Sequence, residues 1–118
     1  MKLVIAEKPS VGAAIAAALG VTGKKDGYIE NNGYIISWCV GHLVGLAEAA
    51  AYGEQYKKWD YDSLPILPQD WKYTIAADKG KQFKILKGLM HRADVIPMHI
   101  QSFCCCYKNL HIIRKLFN

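Results

Sequence analysis

The stretch that decides the fold is LVIAEKPSVGAAIAAALG, residues 3–20. Its first four residues are apolar and bounded by charge, which is typical of a short central parallel strand buried on both faces of a sheet. The alanine-rich run that follows favours a helix. We predict this helix over residues 10–20, with Ser10 as its cap and Gly20 as its terminator. A strand that leads directly into a helix indicates an α/β protein.

The turn between this strand and this helix carries Glu7 and Lys8. In open α/β sheets, ligands bind at the carboxyl ends of the strands, where the N–H groups of a helix N-terminus also attract anions. Glu7 could therefore act as a general acid and base or as a metal ligand, and Lys8 could contact a phosphate. A solvated turn in which the carboxylate pairs with Lys8 explains the same residues, so both interpretations stay open at this point.

The remaining sequence predicts the other elements of a mixed sheet. Asn32-Gly33 lies between two β-prone runs and predicts an antiparallel hairpin over 27–40, because both residues tolerate positive φ. Phe83, Leu86, Leu89 and Met90 share one face of the last predicted helix. In chain order, we expect a short helix over 43–51, an irregular connection over 52–71, a strand over 71–75 and a helix over 79–92.

Length and charge limit the classes of protein that fit. The chain has 118 residues, enough for one core, and a net charge of +5, which suits a polyanionic partner. No apolar run approaches the ~18 residues of a membrane span, and the first apolar stretch is too short for a signal peptide. We therefore expect a cytoplasmic protein without membrane association. Residues 1–94 hold 12 basic and 10 acidic residues, whereas residues 95–118 hold three basic residues and no acid.

Several other residues are candidates for binding. His42 could reach a phosphate, although hydrogen bonding to the backbone is the commoner role of such a histidine. The lysines at 79, 81, 84 and 87 could follow a nucleic-acid backbone, and a solvated helix face explains them equally well. The consecutive cysteines 104–106 match no usual zinc spacing. The residues alone indicate a basic α/β domain whose first turn faces an anion.

Four segments of the chain form a series: MKLVIAEKPSVG (1–12), GYIISWCVGHLVGL (33–46), KKWDYDSLPILPQDWKY (57–73) and DKGKQFKILKGLM (78–90). Together they resemble the N-terminal domain of the bacterial DNA topoisomerase III family, whose members are type IA topoisomerases. The resemblance covers about residues 1–94, with the segments in the family's order and spacing. It implies a toprim domain, a Rossmann-like α/β fold in which a parallel central sheet has helices on both faces and an added antiparallel hairpin.

The resemblance also implies roles for individual residues. Glu7 matches the toprim glutamate, which protonates the leaving 3′ oxygen of DNA during cleavage, recovers the proton during resealing and lies close to the Mg²⁺ site. Lys8 matches a lysine that contacts the scissile phosphate or its neighbour. His42 matches a family motif for which structural support of the active-site floor and contact with DNA are equal alternatives. Apart from the resemblance, we expect Ser10, Lys79 and Lys81 to bind DNA or phosphate as well.

The activity implied by the resemblance is that of the parent enzyme. It is ATP-independent, Mg²⁺-dependent cleavage of one DNA strand through a phosphotyrosine, followed by strand passage and religation. The expected partners are DNA, with single strands preferred by the family, and the remaining topoisomerase domains. Two alternatives stay open: another toprim protein of the nuclease or primase-like kind, and a non-enzymatic DNA-binding module.

The end of the chain departs from the family pattern. The family continues after the last helix with a strand and an acidic Asp-x-Asp turn, but no acidic residue follows Asp94 here. We therefore predict an incomplete toprim domain over 1–94 and an atypical tail over 95–118, either translated out of frame or naturally divergent. Since Pro97 lacks an N–H group, the tail should pair poorly or form an edge element. The chain alone, lacking the acidic pair and the catalytic tyrosine domain, is expected to be inactive.

Overall fold

The computed structural model describes residues 1–100, the last four by their backbone. Short 3-10 helices lie at Ala49–Tyr52, Glu54–Tyr56, Tyr61–Ser63 and Ala77–Lys79. No helix among the described residues is long and apolar enough to cross a membrane. The strands and α-helices are, in chain order, β1 (Lys2–Ala6), α1 (Pro9–Ala18), β2 (Tyr28–Asn31), β3 (Tyr34–Trp38), β4 (Val44–Leu46), β5 (Tyr73–Ile75), α2 (Gly80–Arg92) and β6 (Val95–Ile100).

The main sheet has the strand order β2-β3-β1-β6. Strand β1 is parallel to both β3 and β6, and β2 is antiparallel to β3. Leu3 and Ile5 of β1 pack in one buried cluster with residues of α2, whereas Val4 packs with Ala16 of α1 in a second cluster. The predicted central parallel strand and the predicted helices on both faces are therefore confirmed.

The predicted hairpin is also confirmed. Its turn residues, Asn32 and Gly33, have φ angles of 50° and 81°. Two consecutive positive φ angles define a type I′ turn, whose twist matches that of the two flanking strands. The turn fixes the register in which Tyr28 lies opposite Ser37.

Helix α1 begins differently from the prediction. Lys8 is its N-cap residue, no side chain caps it, and Pro9 occupies its first turn. The prediction that Ser10 caps the helix is wrong because proline, with its fixed φ and no N–H to satisfy, starts the helix one residue earlier. Gly12 of α1 lies against β3, where an added Cβ would come within 2.8 Å of a Trp38 ring carbon.

The end of helix α1 follows the predicted termination at Gly20. Gly20 has φ of 65°, and its N–H donates to the carbonyl of Ala17 at 3.2 Å. The next N–H, from Val21, donates to the carbonyl of Ala16 at 2.8 Å. This pair of bonds is a Schellman motif, which satisfies carbonyls that the last helical turn would leave unpaired.

The predicted helix over 43–51 is wrong. Val44–Leu46 is strand β4, which pairs antiparallel with β5, and the alanines that follow form a single 3-10 turn. Leu43 and Val44 are buried in the cluster beneath α2, so their burial and the pairing with β5 outweigh the local helix propensity. The strand predicted over 71–75 and the helix predicted over 79–92 are confirmed as β5 and α2, with Phe83, Leu86 and Leu89 buried.

Strand β6 is an edge strand of the sheet formed by the described residues, as Pro97 led us to expect. Lys2 pairs with Val95 and Val4 with Met98, so one extra residue of β6 forms a bulge that contains Pro97. Proline is tolerated at such a position because the ladder needs no N–H there. The division of the chain at residues 94 and 95 stays a prediction, and the cysteines 104–106 lie outside the described residues.

The start of β6 is tied to the start of β1. The Met1 ammonium group donates to the Asp94 carboxylate, and this bond lowers the pKa of Asp94. A lowered pKa means that the pair stabilises the fold at neutral pH and that this stabilisation is lost as the pH falls through the pKa of Asp94.

Gln82 of α2 joins the helix to the hairpin. Its Nε2 atom donates to the carbonyl of Trp38 at 2.7 Å, to the carbonyl of Gly27 at 3.1 Å and to the Oγ atom of Ser37 at 3.2 Å. Ser37 is fully buried and donates its own hydroxyl to Gly27 at 2.8 Å. One side-chain amide therefore holds the end of β3 and the residue before β2 against α2.

We predict that Gln82→Leu lowers the free energy of unfolding by about 1–3 kcal/mol, because partly buried carbonyl groups lose their donor. Urea denaturation followed by circular dichroism measures this loss. Lys84→Leu, an exposed change on the same helix, is the control and should stay within about 0.5 kcal/mol of the unsubstituted chain. Equal effects of the two substitutions would contradict the role given to Gln82.

Candidate functional site

The carboxyl edge of the main sheet gathers the ends of β1 and β3. Ala6 is in register with Trp38, and the N–H of Cys39 donates to the carbonyl of Ala6 at 2.9 Å. Because β1 and β3 run in parallel, the residues that follow them leave the sheet at the same edge. Glu7 follows β1 there, and the turn that contains His42 follows β3.

The turn after β1 exposes a lysine and half-buries a carboxylate. Glu7 is half-buried, whereas Lys8 and Ser10 are exposed. Lys8 has extended backbone angles, and its carbonyl accepts from the N–H of Gly12 at 3.1 Å, so α1 begins directly beyond it. The first turn of α1 contains no acidic residue. The positive end of the helix dipole and the Lys8 ammonium therefore act together at this edge, which favours an anion.

The turn after β3 receives a lysine from the start of α2. Lys79 donates from Nζ to the carbonyl of His42 at 3.2 Å, and the same atom lies 3.5 Å from where a Cβ of Gly41 would be. Gly41 has φ of 69°, a conformation that glycine adopts without strain. The structure thus brings Lys79 and His42, both predicted as binding residues, to one turn. The His42 side chain is exposed.

Lys81 has a different neighbour. Its Nζ atom forms an ion pair with Asp26 at 2.7 Å, with the two side chains 75% and 76% exposed. An ion pair so exposed contributes little to stability and is screened by salt. The described contact of Lys81 is therefore with the loop before β2, and the structure does not bring it to the His42 turn.

The described residues do not fit a Mg²⁺ site built from protein side chains. They contain no group of three or more His, Cys, Asp or Glu residues placed to hold a metal ion. Mg²⁺ requires near-octahedral oxygen coordination, usually from one or two carboxylates together with waters and substrate phosphates. Glu7 supplies one carboxylate. Asp94 cannot join it, because it precedes the parallel strand β6 and so lies at the opposite edge of the sheet.

Sequence reasoning missed Gln82 as a residue that shapes this edge. Its side chain holds the carbonyl of Trp38, the last residue of β3, immediately before the turn to His42. The available signal was a neutral polar residue beside the buried Phe83 in a helix whose other polar residues are mostly exposed cations. Such a residue is polar and half-buried, so it needs hydrogen-bond partners.

Comparison with known proteins gives two kinds of match. The model of the toprim domain family matches residues 2–99. DNA topoisomerase 3 of Shouchella clausii (strain KSM-K16) is 47% identical over 94 residues, which are 80% of this chain and 13% of that protein. DNA topoisomerase 3 of Bacillus anthracis is 46% identical over 93 residues, and that of Bacillus licheniformis is 43% identical over 93 residues; each match covers 79% of this chain and 13% of the relative.

The matched part of these relatives is their N-terminal region. The chain spans about an eighth of the length of the curated relatives it matches. The family match includes both α-helices and the whole main sheet except the last residue of β6. Sequence and architecture agree on the same conclusion: the chain belongs to the toprim domain family.

Proposed function

We propose that this chain supplies the toprim part of a type IA DNA topoisomerase III. The observation that carries the proposal is the shared edge of β1 and β3, where Glu7 and Lys8 follow one strand and the turn of His42 and Lys79 follows its parallel neighbour. The 47% identity to a DNA topoisomerase 3 supports it further. DNA is then the substrate, with single strands preferred, and the cytoplasm is the location.

Glu7 is the proposed general acid and base. When the hydroxyl group of a tyrosine from another domain attacks the phosphodiester, it releases its proton to water, a P–O bond to the tyrosine forms, and the bond from phosphorus to the 3′ oxygen breaks. Glu7 gives a proton to that 3′ oxygen and takes it back when the oxygen attacks the phosphotyrosine during resealing. The position of Glu7 suits this exchange, because the half-buried carboxylate follows β1 at the edge that β1 shares with β3.

Lys8 and Lys79 are the proposed phosphate contacts. Negative charge on the phosphoryl oxygens needs fixed positive charge nearby, and a lysine beside a helix N-terminus supplies it without a proton transfer. Ser10 and His42 lie at the same edge and complete the proposed DNA-binding set, with Lys81 reaching the DNA by leaving its exposed pair with Asp26.

Members of the toprim family bind Mg²⁺. Glu7 is the carboxylate of this chain that we propose contacts the ion, although the described residues do not provide the rest of a coordination shell. The role proposed for Glu7 in proton transfer does not depend on the ion.

A second candidate function is a non-enzymatic DNA-binding module. The net charge of +5 favours it, because an excess of positive charge suits a polyanionic partner. Oligonucleotide binding that depends on salt but not on Mg²⁺ would favour this module, whereas Mg²⁺-dependent nicking would favour a toprim nuclease.

We predict that the 118-residue chain neither relaxes nor cleaves DNA by itself. Its matched part corresponds to only 13% of the length of the relatives, and no acidic residue follows Asp94. The check is incubation with Mg²⁺ and negatively supercoiled plasmid, followed by gel electrophoresis with and without protein denaturation. Relaxed plasmid or a covalent DNA adduct would refute the prediction.

Lys8→Ala should weaken binding of a single-stranded oligonucleotide by the 118-residue chain. Loss of one phosphate contact reduces the slope of log K against log salt concentration by about 0.7. Fluorescence anisotropy of a labelled oligonucleotide at several salt concentrations measures this slope. Lys57→Ala is the matched control, since Lys57 pairs with Glu54 outside the proposed edge, and it should leave the slope unchanged.

The acid–base role is tested in a chimera that we define as DNA topoisomerase 3 of Shouchella clausii with its matching N-terminal region replaced by residues 1–94 of this chain. Glu7→Gln should lower its relaxation rate by about 10²–10⁴-fold, because the amide cannot exchange the proton. DNA affinity should stay within about twofold. Glu48→Gln, at an exposed glutamate, is the control. Equal rates of plasmid relaxation by the chimera with and without the Glu7→Gln substitution would disprove the role.

A further inference from the structure

Residues 52–72, which we call the aromatic segment, contain no buried residue. The segment is closed at its base: the Tyr52 hydroxyl accepts from the N–H of Lys72 at 2.9 Å, and Lys72 Nζ donates to the carbonyl of Ala51 at 2.8 Å. The Tyr52 and Trp71 rings meet edge to face at a centroid distance of 6.5 Å. Beyond this base, short 3-10 helices carry the chain without entering either core cluster.

Large apolar side chains crowd the exposed part of this segment. Trp59 and Tyr61 are each 90% exposed, and Leu67 is 80% exposed. With Leu64 and Trp71, which are about half exposed, they form what we call the aromatic surface. Single exposed apolar residues are normal, but five within thirteen residues is a concentration typical of an interaction site. Tryptophan and tyrosine are also the residues that most often anchor protein interfaces.

The charge of the aromatic segment argues against nucleic acid as its partner. The segment carries three lysines (57, 58 and 72) and four acidic residues (54, 60, 62 and 70), a net charge of −1 in a chain of net +5. A groove that binds single strands by stacking bases on aromatic rings also needs positive charge along the DNA backbone. An apolar protein surface with a basic rim complements the aromatic segment better.

The relatives indicate where such a protein surface would come from. The match ends after 93 or 94 residues and covers 13% of each relative, so most of the length of each relative lies outside it. We propose that the aromatic surface is where the toprim domain docks against the remaining domains of a DNA topoisomerase III chain. This inference rests on the proposed function and adds to it the surface that joins the domains.

Docking would bury Trp59 and Tyr61 and so protect the peptide bonds after them. Trp59, Leu64 and Ile66 line one shallow groove, so docking would place the partner domain against all three side chains. Trp59, Tyr61 and Leu67 add little to the stability of the free chain, because water surrounds most of their surface. Replacing such an exposed apolar side chain by a polar one should therefore weaken the docked state and leave the stability of the free chain unchanged.

The experiment compares chymotrypsin cleavage after Trp59 and Tyr61 in two proteins, the 118-residue chain and the chimera. We expect cleavage to be at least about tenfold slower in the chimera, since docking must be reversed before the protease can act. Trp59→Ser combined with Leu67→Ser should restore rapid cleavage after Tyr61 in the chimera, and should change the free energy of unfolding of the free chain by less than about 0.5 kcal/mol. Gln69→Ser, an exposed polar position in the same segment, should change neither measurement.

Each other occupant of the surface gives a distinct result. Equal cleavage of the chimera and the free chain would overturn the inference. Cleavage of the free chain that slows as its concentration rises would also overturn the inference, because it would indicate that a second copy covers the surface. Slower cleavage of the free chain in the presence of a single-stranded oligonucleotide would overturn it as well. Plasmid relaxation by the unsubstituted chimera separates the two proposals. If the chimera relaxes plasmid but its aromatic segment is cleaved rapidly, only the docking inference is rejected. If the segment is protected but the chimera does not relax plasmid, only the proposed function is rejected.

Discussion

The burial of β1 on both faces is the constraint on which the rest of the structure depends. Leu3 and Ile5 face the cluster beneath α2, and Val4 faces α1, so the first strand can lie only between two layers of helix. Its parallel pairing with β3 then follows, and that register brings Glu7 to the same edge as the turn of His42. A one-residue slip would exchange the two faces of β1 and separate these side chains from one another.

Much of this fold could be predicted from short stretches of sequence because their signals are local. The Asn32-Gly33 turn and the glycine that ends α1 act through backbone angles of the residues themselves. Strand β4 could not be predicted in this way, because Val44 pairs with Ile75. The residues near Val44 carry no local signal for a partner so distant along the chain. Its neighbours favour a helix, and tertiary burial reverses that preference.

The residues of the candidate site also fall into those with a local sequence signal and those placed by contacts between distant segments. Glu7 and Lys8 could be chosen as candidates from the strand-to-helix turn alone, because open α/β sheets bind ligands there, but the turn did not decide between a binding role and a solvated ion pair. The approach of Lys79 to the His42 carbonyl joins two segments 37 positions apart and could not be deduced from spacing. Gln82 was missed for the same reason, since its three acceptors belong to the hairpin. The positions of these residues are seen in the structure, and their chemical roles stay proposals.

The close approach of Gly12 to Trp38 makes the acceptable side-chain sizes at two distant positions depend on each other. A side chain larger than hydrogen at position 12 would meet the indole ring, so it becomes acceptable only if position 38 is reduced in size as well. A larger residue at position 12 alone would push the first turn of α1 away from Trp38, and a smaller residue at position 38 alone would leave a void beside Gly12. Related toprim domains should therefore vary at these two positions together, with the sum of the two side-chain volumes nearly constant.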